Sequence, residues 1–214
     1  MREATLQTIQ RGKVVAIVRL PDLADAIELS RALISGGITA LEFTLTNSEA
    51  LNALRAVKAA LPEFERGEAV VGAGTVLTPD QVRASVAAGA QFIVAPTTNF
   101  AAIAAARELD VPIMPGAYTP TEILAAWEAG ASVVKVFPAR ALGPNFIKDV
   151  REPLPFLKLM PTGGIGVDNV AAYLQAGAFG VGVGGNLVDK KLVATRDWAA
   201  LHAKAKAFME ATKS

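Results

Sequence analysis

The sequence predicts an α/β chain folded as a (β/α)8 TIM barrel with an extra N-terminal helix. Three observations carry this. Eight short apolar runs rich in valine and isoleucine recur along the chain, their starts 20 to 29 residues apart. Longer alanine-rich amphipathic stretches separate them. Those stretches carry helix start and stop residues, so the repeating unit is strand–loop–helix, and eight such units close into a barrel.

The runs are VVAIVRL from Val14, ALEFTLT from Ala40, AVVGAGTV from Ala69, QFIVAPT from Gln91, VPIMPGA from Val111, SVVKVFPA from Ser132, LKLMPTGG from Leu157 and AFGVGVGG from Ala178. Each is mostly apolar rather than alternating, the pattern of a parallel strand buried on both faces. The stretches LADAIELSRALISGG, PDQVRASVAAGA, TEILAAWEAGA and DNVAAYLQAGA all carry glycine at their last or next-to-last position, the usual left-handed helix C-cap. Ser48, Thr78, Thr119 and Asp168 stand where N-caps belong. An open doubly wound sheet is the alternative, but even spacing without a longer crossover favours closure. Residues 2–12 read as a helix capping the barrel's bottom, and 196–212 as a second helical addition. Residues 1–214 are read as one domain, with no linker or low-complexity segment.

Composition removes several functions. The 214 residues are 52% hydrophobic and 19% charged, with a net charge of +1, which suits a globular enzyme with a large core. Charges of both signs are mixed and aromatic residues make up only 6%, so neither a phosphate-backbone stripe nor a base-stacking platform is expected: no nucleic-acid partner. Cysteine is absent and His202 is the one histidine, which leaves no thiolate chemistry, no zinc–sulfur site and no histidine triad. His202 reads as a surface residue of the C-terminal helix. No apolar stretch reaches the ~18 residues that span a bilayer. The charged N-terminus, MREATLQTIQRGK, lacks the apolar run of a signal peptide. A cytoplasmic location and no membrane contact are therefore expected.

A barrel places its active site at the C-terminal strand ends. Two ionisable residues fall there inside apolar runs. Lys135 sits in VVKVFP, where burial lowers an amine's pKa and makes it a nucleophile able to form a Schiff base with a ketone. Glu42, in ALEFTLT, lies near the same end of the second strand, which faces the sixth across an eight-stranded barrel. A carboxylate there can shuttle protons during carbinolamine dehydration and enamine formation. A lysine that snorkels to water, or a purely structural Lys135–Glu42 ion pair, is the plain alternative. PTGGIG (161–166) and GVGGN (182–186) end the last two strands. Paired glycines let backbone N–H groups approach an anion, and these loops are the usual phosphate site of the fold.

The segments LEFTLT (41–46), VGAGTV (71–76), KVFPA (135–139) and PTGGI (161–165), in this order over almost the whole chain, resemble the signatures of the 2-keto-3-deoxy-6-phosphogluconate (KDPG) and 4-hydroxy-2-oxoglutarate (KHG) aldolases. The resemblance implies a metal-independent, cofactor-free class I aldolase, a lyase of the Entner–Doudoroff pathway that cleaves KDPG to pyruvate and glyceraldehyde 3-phosphate, assembled as a homotrimer. Residue by residue, it places the Schiff base on Lys135 and acid–base work on Glu42. It puts carboxylate contacts on Thr75 and the backbone at Gly74, and pocket walls on Pro96 and Phe137. Thr162, Gly163, Gly164, Gly184, Gly185 and Asn186 fall on its phosphate loops. Two departures stand out. Many members carry an arginine just after the second strand, where this chain has Thr46-Asn47, and Arg19 at the end of the first strand is expected to hold the substrate carboxylate instead. Asn186 stands where a serine is common.

Three other functions fit less well. A relative acting on KHG or on the galactonate epimer would use the same scaffold. A phosphate-binding barrel isomerase would not need Lys135. An aldolase scaffold used as an assembly subunit could exploit the alanine-rich outer helices, but would not need the Lys135–Glu42 pair.

Overall fold

The computed structural model describes residues 2–213. The strands are β1 (Val14–Val18), β2 (Ala40–Thr44), β3 (Val70–Gly74), β4 (Ile93–Val94), β5 (Ile113–Met114), β6 (Gly116–Ala117), β7 (Val134–Val136), β8 (Leu159–Pro161) and β9 (Val181–Val183). The helices are α1 (Arg2–Gly12), α2 (Ala26–Ser35), α3 (Ala50–Ala60), α4 (Pro62–Glu65), α5 (Pro79–Ala87), α6 (Phe100–Glu108), α7 (Pro120–Glu128), α8 (Gly143–Arg151), α9 (Val170–Gln175), α10 (Lys190–Ala194) and α11 (Trp198–Ala211), with a 3-10 turn at Ala139–Ala141. Every one of the apolar runs contributes strand, as expected. The run from Val111 contributes two pieces, because Pro115 has no N–H and interrupts it.

The strands are parallel and form a curled sheet in two segments, one ordered β5-β4-β3-β2-β1-β9 and the other β6-β7-β8. Across the Pro115 break the backbone continues, and the Pro115 carbonyl accepts from Lys135 N–H at 2.9 Å. At the opposite edge Phe179 N–H donates to the Leu159 carbonyl at 2.8 Å, and Thr162 bridges Gly182 in parallel.

Strand side chains alternate between two apolar layers. Val14, Ala16, Val18, Leu41 and Phe43 pack outward against the helices. Val15, Ala40, Val70, Phe92, Met114, Val133 and Met160 face inward with Leu6 and Ile9 of α1. Helix α1 thus closes the N-terminal end of the interior, as the sequence suggested. Register does the rest. Val15 pairs with Ala40 and Ile17 with Glu42, so Glu42, two residues beyond inward Ala40, shares its face, as Lys135 shares that of Val133. Gly72 is required here because a Cβ would overlap the Phe92 ring.

Helix starts follow side-chain chemistry. Thr78 accepts from Gln81 N–H, and Thr119 forms a capping box with Glu122. Ser48 and Asp168 do not cap. In their place Asn47 Oδ1 accepts from Glu49 N–H at 2.8 Å, and Asn169 Oδ1 from Gly166 N–H at 2.9 Å. Asparagine amides turn the chain here one residue away from the expected caps. His202 is half-buried rather than a free surface residue: its Nδ1 lies 2.9 Å from Ser35 Oγ, joining α11 to α2. Among the described residues no helix is long and apolar enough to cross a membrane.

Ile9 is wholly buried in the inner layer. Ile9→Ala should therefore lower the unfolding free energy by about 2–5 kcal/mol, read from denaturant midpoints. A loss below about 1 kcal/mol would show that α1 is not a structural plug.

Candidate active site

Above the inner apolar layer the interior turns polar. Lys135 is 2% exposed and Glu42 0%. Burial pushes the Lys135 amine below the usual lysine range; the Glu42 charge opposes this and Arg19 adds to it. Burial pushes the Glu42 carboxyl above the usual carboxylate range, against the attraction of Lys135 and then Arg19. Both shifts favour the uncharged forms. The Lys135 ammonium position lies 4.8 Å from the centroid of the Phe137 ring. Among the described residues neither carboxylate oxygen of Glu42 has a hydrogen-bond partner, so the structural ion pair is not formed. A buried carboxyl left open in this way is costly and calls for a functional account.

Small residues make the space. A Cβ at Gly74 would overlap the Glu42 carboxylate, and one at Gly116 the Pro96 carbonyl. Thr75, next along, holds φ of 58°, a left-handed conformation unusual for a β-branched residue and a mark of functional strain.

Beside this centre lies a cavity of about 280 Å³. Arg19, Phe137, Thr162, Gly163, Gly184 and Gly185 line it, together with Ile17, Val188 and Lys190. Gly163 and Gly164 have φ of 99° and 80°, which glycine adopts without strain. Gly184 and Gly185 border open space: nothing lies within 4 Å of where a Cβ would stand on either. Parts of both glycine loops thus line one cavity, and Arg19 stands in its wall while its charge reaches Glu42 and Lys135. Thr75, Pro96, Gly164 and Asn186 lie outside the cavity lining. Pro96 borders a second groove of about 470 Å³ with Phe137 and Tyr118.

Asparagines brace the rim. Asn186 Nδ2 donates to the Ile165 carbonyl at 2.8 Å, tying the last glycine loop to the one before it. Asn169 Nδ2 donates to the Gly164 carbonyl at 3.0 Å. Where many relatives were expected to carry an arginine, Asn47 Nδ2 donates to the carbonyls of Leu20 (3.1 Å) and Pro21 (3.0 Å), fixing the loop that follows Arg19. Thr44 Oγ1 donates to the Val18 carbonyl at 3.3 Å, and the Thr44 and Thr46 hydroxyls lie 2.9 Å apart. Sequence reasoning missed Lys190, Ile17 and Val188. Lys190 left a readable signal, as the first cation after the GVGGN loop; the two apolar residues left none. Among the described residues no group of three or more His, Cys, Asp or Glu gathers as metal ligands.

An interior lysine and an open buried acid stand in this α/β fold beside a cavity lined by glycines. The sequence model of the KDPG and KHG aldolase family matches residues 6–204, and the chain belongs to that family. A 2-dehydro-3-deoxy-phosphogluconate aldolase of Treponema pallidum is 40% identical over 169 residues, covering 78% of each chain. One of Haemophilus influenzae is 35% identical over 90% of this chain and 89% of its own. The crystal structure of KDPG aldolase from Legionella pneumophila, with pyruvate captured as a covalent carbinolamine, superposes with a TM-score of 0.87 at 30% identity, covering 95% of this chain and 97% of that one.

Gly74→Ala should cost about 1–3 kcal/mol by overpacking. In the Glu42→Ala background, where the carboxylate is gone, the same change should cost much less, a coupling readable in a denaturation double-mutant cycle. Additive losses would mean that Gly74 does not make room for Glu42.

Proposed function

We propose that this chain is a class I aldolase that cleaves KDPG to pyruvate and glyceraldehyde 3-phosphate through a Schiff base on Lys135. The observation that carries it is the buried Glu42 carboxyl left without a hydrogen-bond partner in the same interior as a desolvated lysine. A structural pair would have closed; a catalytic pair has to stay open for substrate. The Lys135 amine, its pKa lowered by burial, attacks the C2 carbonyl of the substrate, and loss of water from the carbinolamine gives an iminium. Glu42 moves the protons of that dehydration and takes the proton of the C4 hydroxyl as the C3–C4 bond breaks. The electron pair of that bond passes into the iminium, giving an enamine. Protonation at C3 and hydrolysis then release pyruvate.

The Legionella relative, captured with pyruvate as a carbinolamine, supports the covalent route. For the substrate's ends, Arg19 with Thr75 and the Gly74 backbone take the carboxylate. Phe137 and Pro96 form walls. Thr162, Gly163, Gly164, Gly184 and Gly185 take the phosphate, with Asn186 acting through the loop it braces. We further infer that the curled sheet is a closed (β/α)8 barrel, supported by the Phe179–Leu159 hydrogen bond at one seam and the Pro115–Lys135 bond at the other.

The decisive experiment is reductive trapping. Pyruvate with borohydride should add one reduced pyruvoyl group on Lys135, located by peptide mapping, and Lys135→Met should abolish labelling and turnover. Glu42→Gln should lower kcat by about 10²–10⁴-fold. It also removes the charge that raises the Lys135 pKa, so the rising limb of the trapping pH profile should move to lower pH. Labelling elsewhere, or an unshifted profile with full turnover, would overturn the assignments.

We also propose a homotrimer. Leu77 and Tyr118, on the loops after β3 and β6, and Phe100, at the start of α6, are 43%, 38% and 59% exposed, an apolar rim suited to subunit contact. Light scattering should give three times the monomer mass; a monomer would refute it.

A further inference from the structure

Lys190 stands in the wall of the glycine cup and has no part in the reaction just described. The cup's lining contains two cations, Arg19 and Lys190, and no carboxylate. Arg19 is shared with the reacting end, because its charge acts on both Glu42 and Lys135.

Asp189, and the acids Asp22 and Asp25 that share an adjoining cavity with Lys190, each have another partner, two of them a cation. Asp189 Oδ1 accepts from the N–H groups of Lys191 (2.9 Å) and Leu192 (3.4 Å), and its Oδ2 takes the Lys204 ammonium at 2.8 Å. Asp25 holds Arg196 at 2.9 Å, and Asp22 Oδ1 accepts from Ala24 N–H at 2.8 Å. Among the described residues Lys190 forms no ion pair within 4.0 Å. An unneutralised ammonium beside exposed backbone N–H groups of paired glycines is a site for a compact dianion. Its flexible stem also lets it follow a phosphate that arrives at the open mouth.

We propose that Lys190 is the specificity-determining residue for the phosphomonoester end of the substrate, supplying the cup's lining with a side-chain cation beside Arg19. This deepens the aldolase reading and rests on it for the substrate, though not for the anion. Asn186 cannot take that role while its amide holds the Ile165 carbonyl.

Two measurements test it, using Lys190→Met and Lys190→Arg, with Lys206→Met of α11 as a control. The first is calorimetric binding of inorganic phosphate, which needs no turnover. Lys190→Met should weaken it about tenfold, while Lys190→Arg and Lys206→Met bind as the native enzyme does. The second is kcat/KM for the phosphorylated and the unphosphorylated 2-keto-3-deoxy acid. Lys190→Met should lose about tenfold on the phosphorylated acid alone, mainly through KM, with pyruvate trapping on Lys135 unchanged. Undiminished phosphate binding in Lys190→Met, or equal losses on both acids, would overturn the proposal. If native enzyme binds phosphate through Lys190 yet fails to trap pyruvate, the anion site stands and the aldolase reading falls.

Discussion

The structure is organised around one unfavourable placement: an amine and a carboxyl held inside an apolar interior without closing on each other. Isolated charges there are costly, and a buried pair that closes still recovers only part of its desolvation. This interior lowers the cost by favouring the neutral forms of both groups, Lys135 shifted down and Glu42 up. The rest of the sheet serves that arrangement. Below the pair, Val15, Ala40, Val133 and Met160 fill the space under the seal made by Leu6 and Ile9. Around it, Gly74 and Gly116 remove side chains that would collide with Glu42 and with the Pro96 backbone. Dense packing beneath and missing side chains above give a pocket with a fixed floor.

The rim is governed by backbone rather than by charge. Asn47, Asn169 and Asn186 each commit side-chain hydrogen bonds to loop carbonyls or N–H groups. The loops that must present Arg19 and the paired glycines are thereby tied to their neighbours before any ligand arrives. Such bracing lowers the ordering cost of binding. It also gives Asn47 a structural role: its amide steadies the loop after Arg19. Arg19 then stands between the cup and the reacting pair, its field felt by both.

The sequence by itself determined the strand–helix order, the presence of Lys135 and Glu42 inside apolar runs near their strand ends, and the two glycine loops. Each is local and needs only the runs themselves to be read. Even the split at Pro115 is implicit in a residue without an N–H. The helix starts at Ser48 and Asp168 were misread because the neighbouring Asn47 and Asn169 make the local side-chain hydrogen bonds there, to Glu49 N–H and Gly166 N–H, and such short-range bonds cannot be ranked from residue types alone. What only the tertiary structure decided were relations between distant segments. Among the described residues the Glu42 carboxyl has no hydrogen-bond partner, Arg19 joins the wall of the glycine cup, Asn186 turns to Ile165, and Lys190 forms no ion pair while Lys204 and Arg196 hold Asp189 and Asp25. These depend on which side chains meet across loops far apart in the chain, and loop geometry is set by packing rather than by the pattern of any one segment.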